Sequence, residues 1–357
     1  MLPLLLLLSN GGDGSAAAPV DWRALEVRLG LQAAADDERP RFGILLRPYY
    51  TFSASEGGLG SEDVSGNVFE DLDVWFGQRS AAFSWRVSAE FEDGEATLED
   101  AWARFAPLAG FETMREVALT VGQFRPRVVR SGSLPEDSLL FRSRTFLGAA
   151  FDVFDDGFEL AARGERWGAV AALLDGENGS DTDHFWSVRG ELELYEADLP
   201  EREGARNSPN FLVARFGAST FAEVSRSSSD GGGVAFDLAL TYGPWSIHTE
   251  WAHLQDEFAR DVDVFNGYVF SLGDGDPLTF TMGRMLGTEF EAAARYETAD
   301  DVDDTQALRL GVSWVPTGAP ARFQTEVGSV EADSRDFTLV SVGVVIGGSG
   351  PTRAFGP

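Results

Sequence analysis

The chain has 357 residues, no cysteine and a net charge of −30, and all 28 of its basic residues are arginine. These counts exclude disulfide scaffolds, thiol chemistry and Cys-based zinc or iron–sulfur sites, and so negative a field disfavours nucleic acid as a partner. Apolar residues make up 43% of the chain, yet no run of about 20 occurs, so no bilayer-spanning helix is expected; a transmembrane barrel, whose apolar residues occupy every second position, is not excluded.

Residues 1–8 form a short leucine-rich run, followed by Gly and Ser and then by Ser15, Ala16, Ala17 and Ala18. Small residues at this spacing suit a signal-peptide cleavage near Ala17. The expected organisation is a signal peptide over 1–18, a leader over 19–40, a barrel domain over 41–346 and a flexible Gly/Pro/Ser tail over 347–357.

From Arg41 onward the dominant period is two. In 83–92, Phe83, Trp85, Val87, Ala89 and Phe91 alternate with Ser84, Arg86, Ser88, Glu90 and Glu92. The same alternation runs through 184–196, 234–243, 245–255, 286–297 and 305–315, and each segment suits a strand with one wet face. In chain order the expected strands are 41–53, 67–78, 81–92, 96–106, 115–124, 157–164, 165–175, 184–196, 210–222, 234–243, 245–255, 262–272, 286–297, 305–315, 321–331 and 335–346. Most are longer than the usual soluble strand of about 5–6 residues and suit tilted strands crossing a bilayer. Tight turns at 78–80, 164–166 and 243–244 face long loops at 54–66, 125–156 and 223–233, which is the outer-membrane pattern. The connections at 197–209 and 273–285 are long where short turns are expected. Trp75, Trp167, Trp245, Trp251 and Trp314 lie near strand ends, where interfacial girdles form. The fold class is therefore all-β: a transmembrane antiparallel barrel of about sixteen strands, its third long loop folded into the lumen.

Several segments, in order, resemble the phosphate-selective porin O and P family. They are Leu119-Thr-Val-Gly-Gln-Phe-Arg-Pro-Arg127, Leu140-Phe-Arg-Ser-Arg144 and the Gly-led strand Gly157-Phe-Glu-Leu160. Further along come Phe265-Asn-Gly-Tyr268, Glu289-Phe-Glu-Ala-Ala-Ala-Arg-Tyr296 and Leu310-Gly-Val-Ser-Trp314. Arg125 stands where the family carries a lysine. The resemblance spans about residues 40–346 and implies a sixteen-stranded outer-membrane porin, trimeric in its characterised members.

A pore selects by lumen width and lining charge. The first part of the third loop carries Arg125, Arg127, Arg130, Arg142 and Arg144 against Glu136 and Asp137. Fork-shaped, permanently charged guanidiniums there suit oxyanions such as phosphate, or else pair with acids of the wall and pin the loop. Pore-lining candidates are Arg47, Arg86, Arg104, Arg189, Arg295 and Arg309, with Asp71, Asp73, Glu90, Glu191, Glu193, Glu250 and Glu289. Acidic runs at 175–183 and 300–304 lack EF-hand spacing, so no metal site and no cofactor are expected. His248 falls on the inward face of its strand, away from any outer-wall Ser–His pair, so no enzyme is expected. The expected partners are small hydrophilic solutes, outer-membrane lipid, lipopolysaccharide and two further copies of the chain. Alternatives are a general or cation-preferring porin, a non-conducting surface barrel and a soluble secreted β protein.

Overall fold

The computed structural model describes residues 40–56, 64–68, 72–80, 82–92, 95–106, 114–176, 184–194, 202–224, 231–255, 258–264, 268–299, 304–317, 321–332 and 335–348. The signal segment, the leader up to residue 39, Asp71, most of both acidic runs and the tail beyond Gly348 lie outside the described residues.

The strands are β1 (Arg41–Leu46), β2 (Tyr49–Glu56), β3 (Val64–Val68), β4 (Leu72–Arg79), β5 (Phe83–Glu92), β6 (Glu95–Phe105), β7 (Glu116–Phe124), β8 (Asp155–Arg163), β9 (Trp167–Leu174) and β10 (His184–Leu194). They continue as β11 (Val213–Val224), β12 (Gly232–Tyr242), β13 (Trp245–Gln255), β14 (Arg260–Val264), β15 (Tyr268–Leu272), β16 (Leu278–Leu286), β17 (Phe290–Thr298), β18 (Gln306–Trp314), β19 (Ala321–Ala332) and β20 (Arg335–Gly347). All but β14 and β15 join one antiparallel sheet. β1 and β2 are two parts of one stave, interrupted at Arg47-Pro48, where proline has no N–H to give to a ladder; they pair with β4 and β3 respectively, and both pair with β20. β3 and β4 likewise form one stave, so the sheet is a closed barrel of sixteen staves.

One strand assignment made from periodicity is corrected. The β-rich segment 262–272 does not enter the barrel; it folds on itself as the separate hairpin β14–β15. The twelfth stave is β16, which pairs with β13 and β17 and lies in the stretch expected to be a loop. Its polar face is Thr279, Thr281 and Gly283, too small and neutral to stand out as an alternation. This places the 256–277 connection on the long side and leaves 287–289 as a tight turn.

The two faces of the sheet are inverted relative to a soluble protein. Along β18, Leu308, Leu310 and Val312 are about half exposed while Arg309 is fully buried. The same holds for Phe158 and Leu160 against Glu159, and for Leu192 and Val188 against Arg189. A soluble monomer seldom exposes contiguous apolar surface beyond a few hundred Å²; here it runs around the barrel. Trp167, Trp245 and Trp314 are exposed at the tight-turn ends of their strands. Phe290, Trp314 and Phe323 stack there in sequence, and Phe83 meets Phe105, so an aromatic girdle marks this rim. Trp75 is not part of it: its ring is buried on the inner face and donates from Nε1 to the Gly348 carbonyl at 2.7 Å.

The inner face is not polar throughout. Near the long-loop ends of the strands, Phe185, Phe221, Ala235, Leu254, Val330 and Leu339 pack with Phe146, Leu147 and Phe151 of the third loop. Phe258, Val262, Phe270 and Leu272, in and beside the inserted hairpin, complete this apolar layer. The hairpin stays on one side of it because its apolar positions face the layer rather than a neighbouring stave.

Candidate functional site

The segment 125–154 begins where Pro126 ends the β7 ladder. A one-turn helix, Arg130–Ser133, and a second short helix, Phe146–Ala150, form its two arms. Thr145 caps the second helix by accepting from Gly148 N at 2.8 Å, satisfying one of the orphan donors of a helix start. The Ser131 and Thr145 hydroxyls lie 2.6 Å apart and hold the arms together.

The contacts of this segment run across the polar face of much of the barrel. Arg189 of β10 donates to the Val128 carbonyl at 2.9 Å, as does Ser219 of β11 at 2.8 Å. Glu250 of β13 accepts from Ser131 N at 2.8 Å and from the Ser131 and Thr145 hydroxyls at 2.7 Å. Glu297 of β17 accepts from Phe146 N at 2.7 Å, and Arg295 donates to the Ser143 carbonyl at 2.9 Å. Glu326 of β19 accepts from Arg142 N at 3.1 Å.

Each of the five loop arginines has a distinct setting. Arg125 meets Glu99 at 3.5 Å, Glu136 at 2.9 Å and Asp152 at 2.5 Å. Arg144 also pairs with Glu136 and Asp152, and donates to the Ser131 and Leu134 carbonyls at 2.6 Å. Burial pushes the Glu136 carboxyl up, but the Arg125 and Arg144 guanidiniums outweigh burial and hold it well below the usual carboxylate range. Arg127 pairs with the fully buried Glu159 at 3.2 Å. Arg142 lies over the Tyr49 ring and donates to Thr51 at 3.3 Å. Arg130 reaches the Arg202 carbonyl at 3.5 Å and lines two cavities on the tight-turn side.

The wall candidates largely neutralise one another. Arg86 meets Asp73 at 3.0 Å and Asp100 at 3.1 Å, and Arg104 pairs with Glu116. Arg47 stands 4.0 Å from Glu90. Arg189 meets Asp237 and Glu191, each at 2.6 Å, and Glu193 meets Arg215 at 2.7 Å. Arg309 pairs with Glu297 at 2.9 Å. Glu289 is not on the inner face: it sits in the turn before β17, exposed, and accepts from Thr317 N and Trp314 Nε1.

Sequence reasoning did not pick out Glu203. It lies in the long tight-turn-side connection, 4% exposed, and joins three parts of the molecule. Arg295 donates to both its carboxylate oxygens at 2.9 and 2.7 Å, Leu140 N donates to it at 3.0 Å, and its own N–H donates to the Ser138 carbonyl at 3.0 Å. The backbone can approach because Gly204 adopts φ +96° and has no Cβ to meet Glu291 and Leu140. The sequence signal was the Gly inside Glu-Arg-Glu-Gly-Ala-Arg, a turn residue amid charge in a connection too long for its side of the barrel.

No protein-family model and no curated protein matches the sequence. Solved structures do match over most of the chain. OprB of Pseudomonas putida is 7% identical with a TM-score of 0.59, covering 91% of this chain and 97% of that one. A loop-deletion mutant of OmpT, an outer membrane protein of Vibrio cholerae, is 12% identical with a TM-score of 0.53, covering 87% and 100%. A mutant porin of Rh. blastica is 12% identical with a TM-score of 0.51, covering 85% and 99%. The chain has the closed, sixteen-stranded antiparallel barrel fold of outer-membrane porins.

Proposed function

We propose that the chain is an outer-membrane porin, a passive channel for small hydrophilic solutes with anions such as phosphate as the preferred class. The observation that carries this is a ring-closed sheet of sixteen staves with an apolar outer face and a charged inner one. That arrangement is stable only with lipid outside and polar groups satisfied within. In this reading 125–154 is the loop that narrows the lumen. Arg125, Arg127 and Arg144 are held by carboxylates, Arg142 by Tyr49 and Thr51, and Arg130 lies toward the tight-turn side. The reading includes export by a signal peptide, contact of the rim with lipopolysaccharide, assembly as a homotrimer, and no enzymatic step or cofactor.

Two observations favour rivals. The net charge of −30 favours a cation-preferring channel. The apolar layer, with Glu203 stapling the loop to the wall, favours a filled, non-conducting barrel. Reversal potential in a KCl gradient across a planar bilayer decides among the three. An anion channel reverses toward the chloride equilibrium potential, a cation channel toward that of potassium, and a filled barrel inserts without steady conductance. Release of the protein by salt buffer without detergent would sink all three.

A further inference from the structure

Beyond the five loop arginines, the connection 202–212 carries chemistry of its own. It brings Arg202 and Arg206 to the mouth of a cavity with about 400 Å³ of empty space, partly open to solvent, on the tight-turn side. Arg130 of the loop and Arg215 of β11 line the same cavity, with Thr241 of β12 and Gly204. No Asp or Glu is among its described lining residues, in a chain where acids outnumber arginines 58 to 28. The acids nearby have partners of their own: Glu193 holds Arg215 at 2.7 Å, and Glu291, which together with Asp137 also attracts Arg202, accepts from Ala205 N.

We infer that this cavity is an oxyanion site, built by 202–206 together with Arg130 and Arg215, for a solute carrying phosphate or two carboxylates. The inference rests on the channel reading and specifies where its solute pauses. Four guanidiniums line one space, and although Arg215 gives Nε to Glu193 and Arg130 gives an N–H to the Arg202 carbonyl, Arg202 and Arg206 add two further forks of the kind that match such groups. Two polar atoms at the cavity's lining residues, Arg202 Nε and Thr241 Oγ1, are buried without a hydrogen-bond partner among the described residues. Burial, and after it the neighbouring Arg206, disfavour the charged form of Arg202 by more than Glu291 and Asp137 favour it, a cost that a bound anion offsets. The backbone supports the arrangement: Arg130 donates to the Arg202 carbonyl, and Asn207 at φ 61° turns the chain back toward β11. A second cavity shares Arg130 and Arg215 and adds Arg163, Arg166 and Arg189, but Glu165, Glu191, Glu193 and Asp237 also line it, so its charge is offset from within and it is not part of the site.

Titration calorimetry of the detergent-solubilised full chain at low salt, with inorganic phosphate and then succinate, tests this. Wild type is expected to bind phosphate, with succinate competing. Arg206→Gln and Arg202→Gln should each weaken binding by about tenfold or more, the loss of one charge-assisted hydrogen bond. Arg284→Gln, exposed on the outer side of β16 with its guanidinium 4.6 Å from the Trp245 ring centre, should leave phosphate affinity within about twofold. Retained heat-modifiability on gels certifies that each variant is folded, and Arg206, at the more exposed edge, serves if Arg202→Gln fails to fold. No binding by wild type, or unchanged affinity in folded Arg206→Gln, overturns the site. Conductance in a planar bilayer reports separately on the channel: a conducting protein that does not bind phosphate loses the site alone, and a binding protein that does not conduct loses the channel alone.

Discussion

Replacing Glu250 by alanine should release the loop 125–154 while leaving the barrel closed. The carboxylate is fully buried and accepts from Ser131 N and from the Ser131 and Thr145 hydroxyls, all within 2.8 Å, with His248 Nε2 at 3.3 Å. Removing it leaves those donors in a site that excludes water. Hydrogen bonds to a charged acceptor contribute about 1.5–3 kcal/mol each, and deleting one partner of a buried charged group costs about 3–5 kcal/mol. The contributions are not additive, because the two hydroxyls can then bond to each other at their 2.6 Å separation. Taking about 3–5 kcal/mol as the whole effect, the opening constant of the loop rises by roughly two to four orders of magnitude. Native-state hydrogen exchange of the Ser131 amide reads this directly, since that N–H donates to the lost carboxylate. Amides of β13 paired with β12 and β16 should keep their protection. Glu250→Gln keeps one carbonyl acceptor and should show a smaller rise. Unchanged Ser131 exchange in a folded Glu250→Ala protein would refute the idea that this carboxylate anchors the loop.

The acid sensitivity of the loop should be set by Glu136, whose carboxyl is held well below 4.5 by Arg125 and Arg144 against the effect of burial. A depressed folded value gives stability that is complete above the unfolded value and is lost as pH falls through the folded one. Loop protection in wild type should therefore hold from pH 7 to 5 and fail only well below 4.5, while Glu136→Gln should be less protected across that whole window, measured by exchange or limited proteolysis; parallel profiles of equal height would contradict it. Leu310→Arg on the outer face of β18 should cost about 2–4 kcal/mol if the site lies near the bilayer midplane, measured by urea unfolding in lipid. Its neighbour Arg309 already occupies the inner face fully buried, so similar damage from Leu310→Gln would argue against lipid contact. Trp75→Ala should cost about 3–5 kcal/mol, because the ring is 2% exposed and packs where a Cβ on Gly43 would stand; a neutral effect on thermal unfolding would show that the seam beside it tolerates a cavity.

The stave count and both faces of most strands could be read from alternation because the apolar outer face and the charged inner face of the sheet make opposite demands on neighbouring residues. Phe83 to Glu92 and Leu308 to Trp314 are examples. The same logic failed for β16, whose inward Thr279, Thr281 and Gly283 carry no charge, and for 262–272, whose apolar positions serve an interior layer. That layer left a signal in hindsight: Phe185 and Trp186 are adjacent and both apolar, so one of them must face inward. The loop arginines stood out as a cluster of like charge. Their partners Glu99, Glu159 and Asp152 did not, because strand pairing and loop path bring them together from distances that no local pattern encodes. Glu203 was hidden for the same reason, since its contacts come from Ser138, Leu140, His248 and Arg295.

The interruption at Arg47-Pro48 bears on how the ring is completed. β20 makes eight paired positions with β2 and two with β1, and Val344 N spans the gap by donating to the Pro48 carbonyl at 3.0 Å. Every other junction in the sheet joins staves that are consecutive along the chain. This one joins residues nearly the full length of the chain apart, as the Thr51–Ser341 contact shows with a separation of 290. Its loop-closure entropy is the largest in the molecule, and contacts of such separation form late. Hairpins can assemble in any order beforehand, but their outermost ladders stay unpaired until the first and last staves meet. The seam therefore sets the kinetics of ring closure, and substitutions along β2 or β20 should change the rate at which barrels appear more than substitutions of equal severity elsewhere.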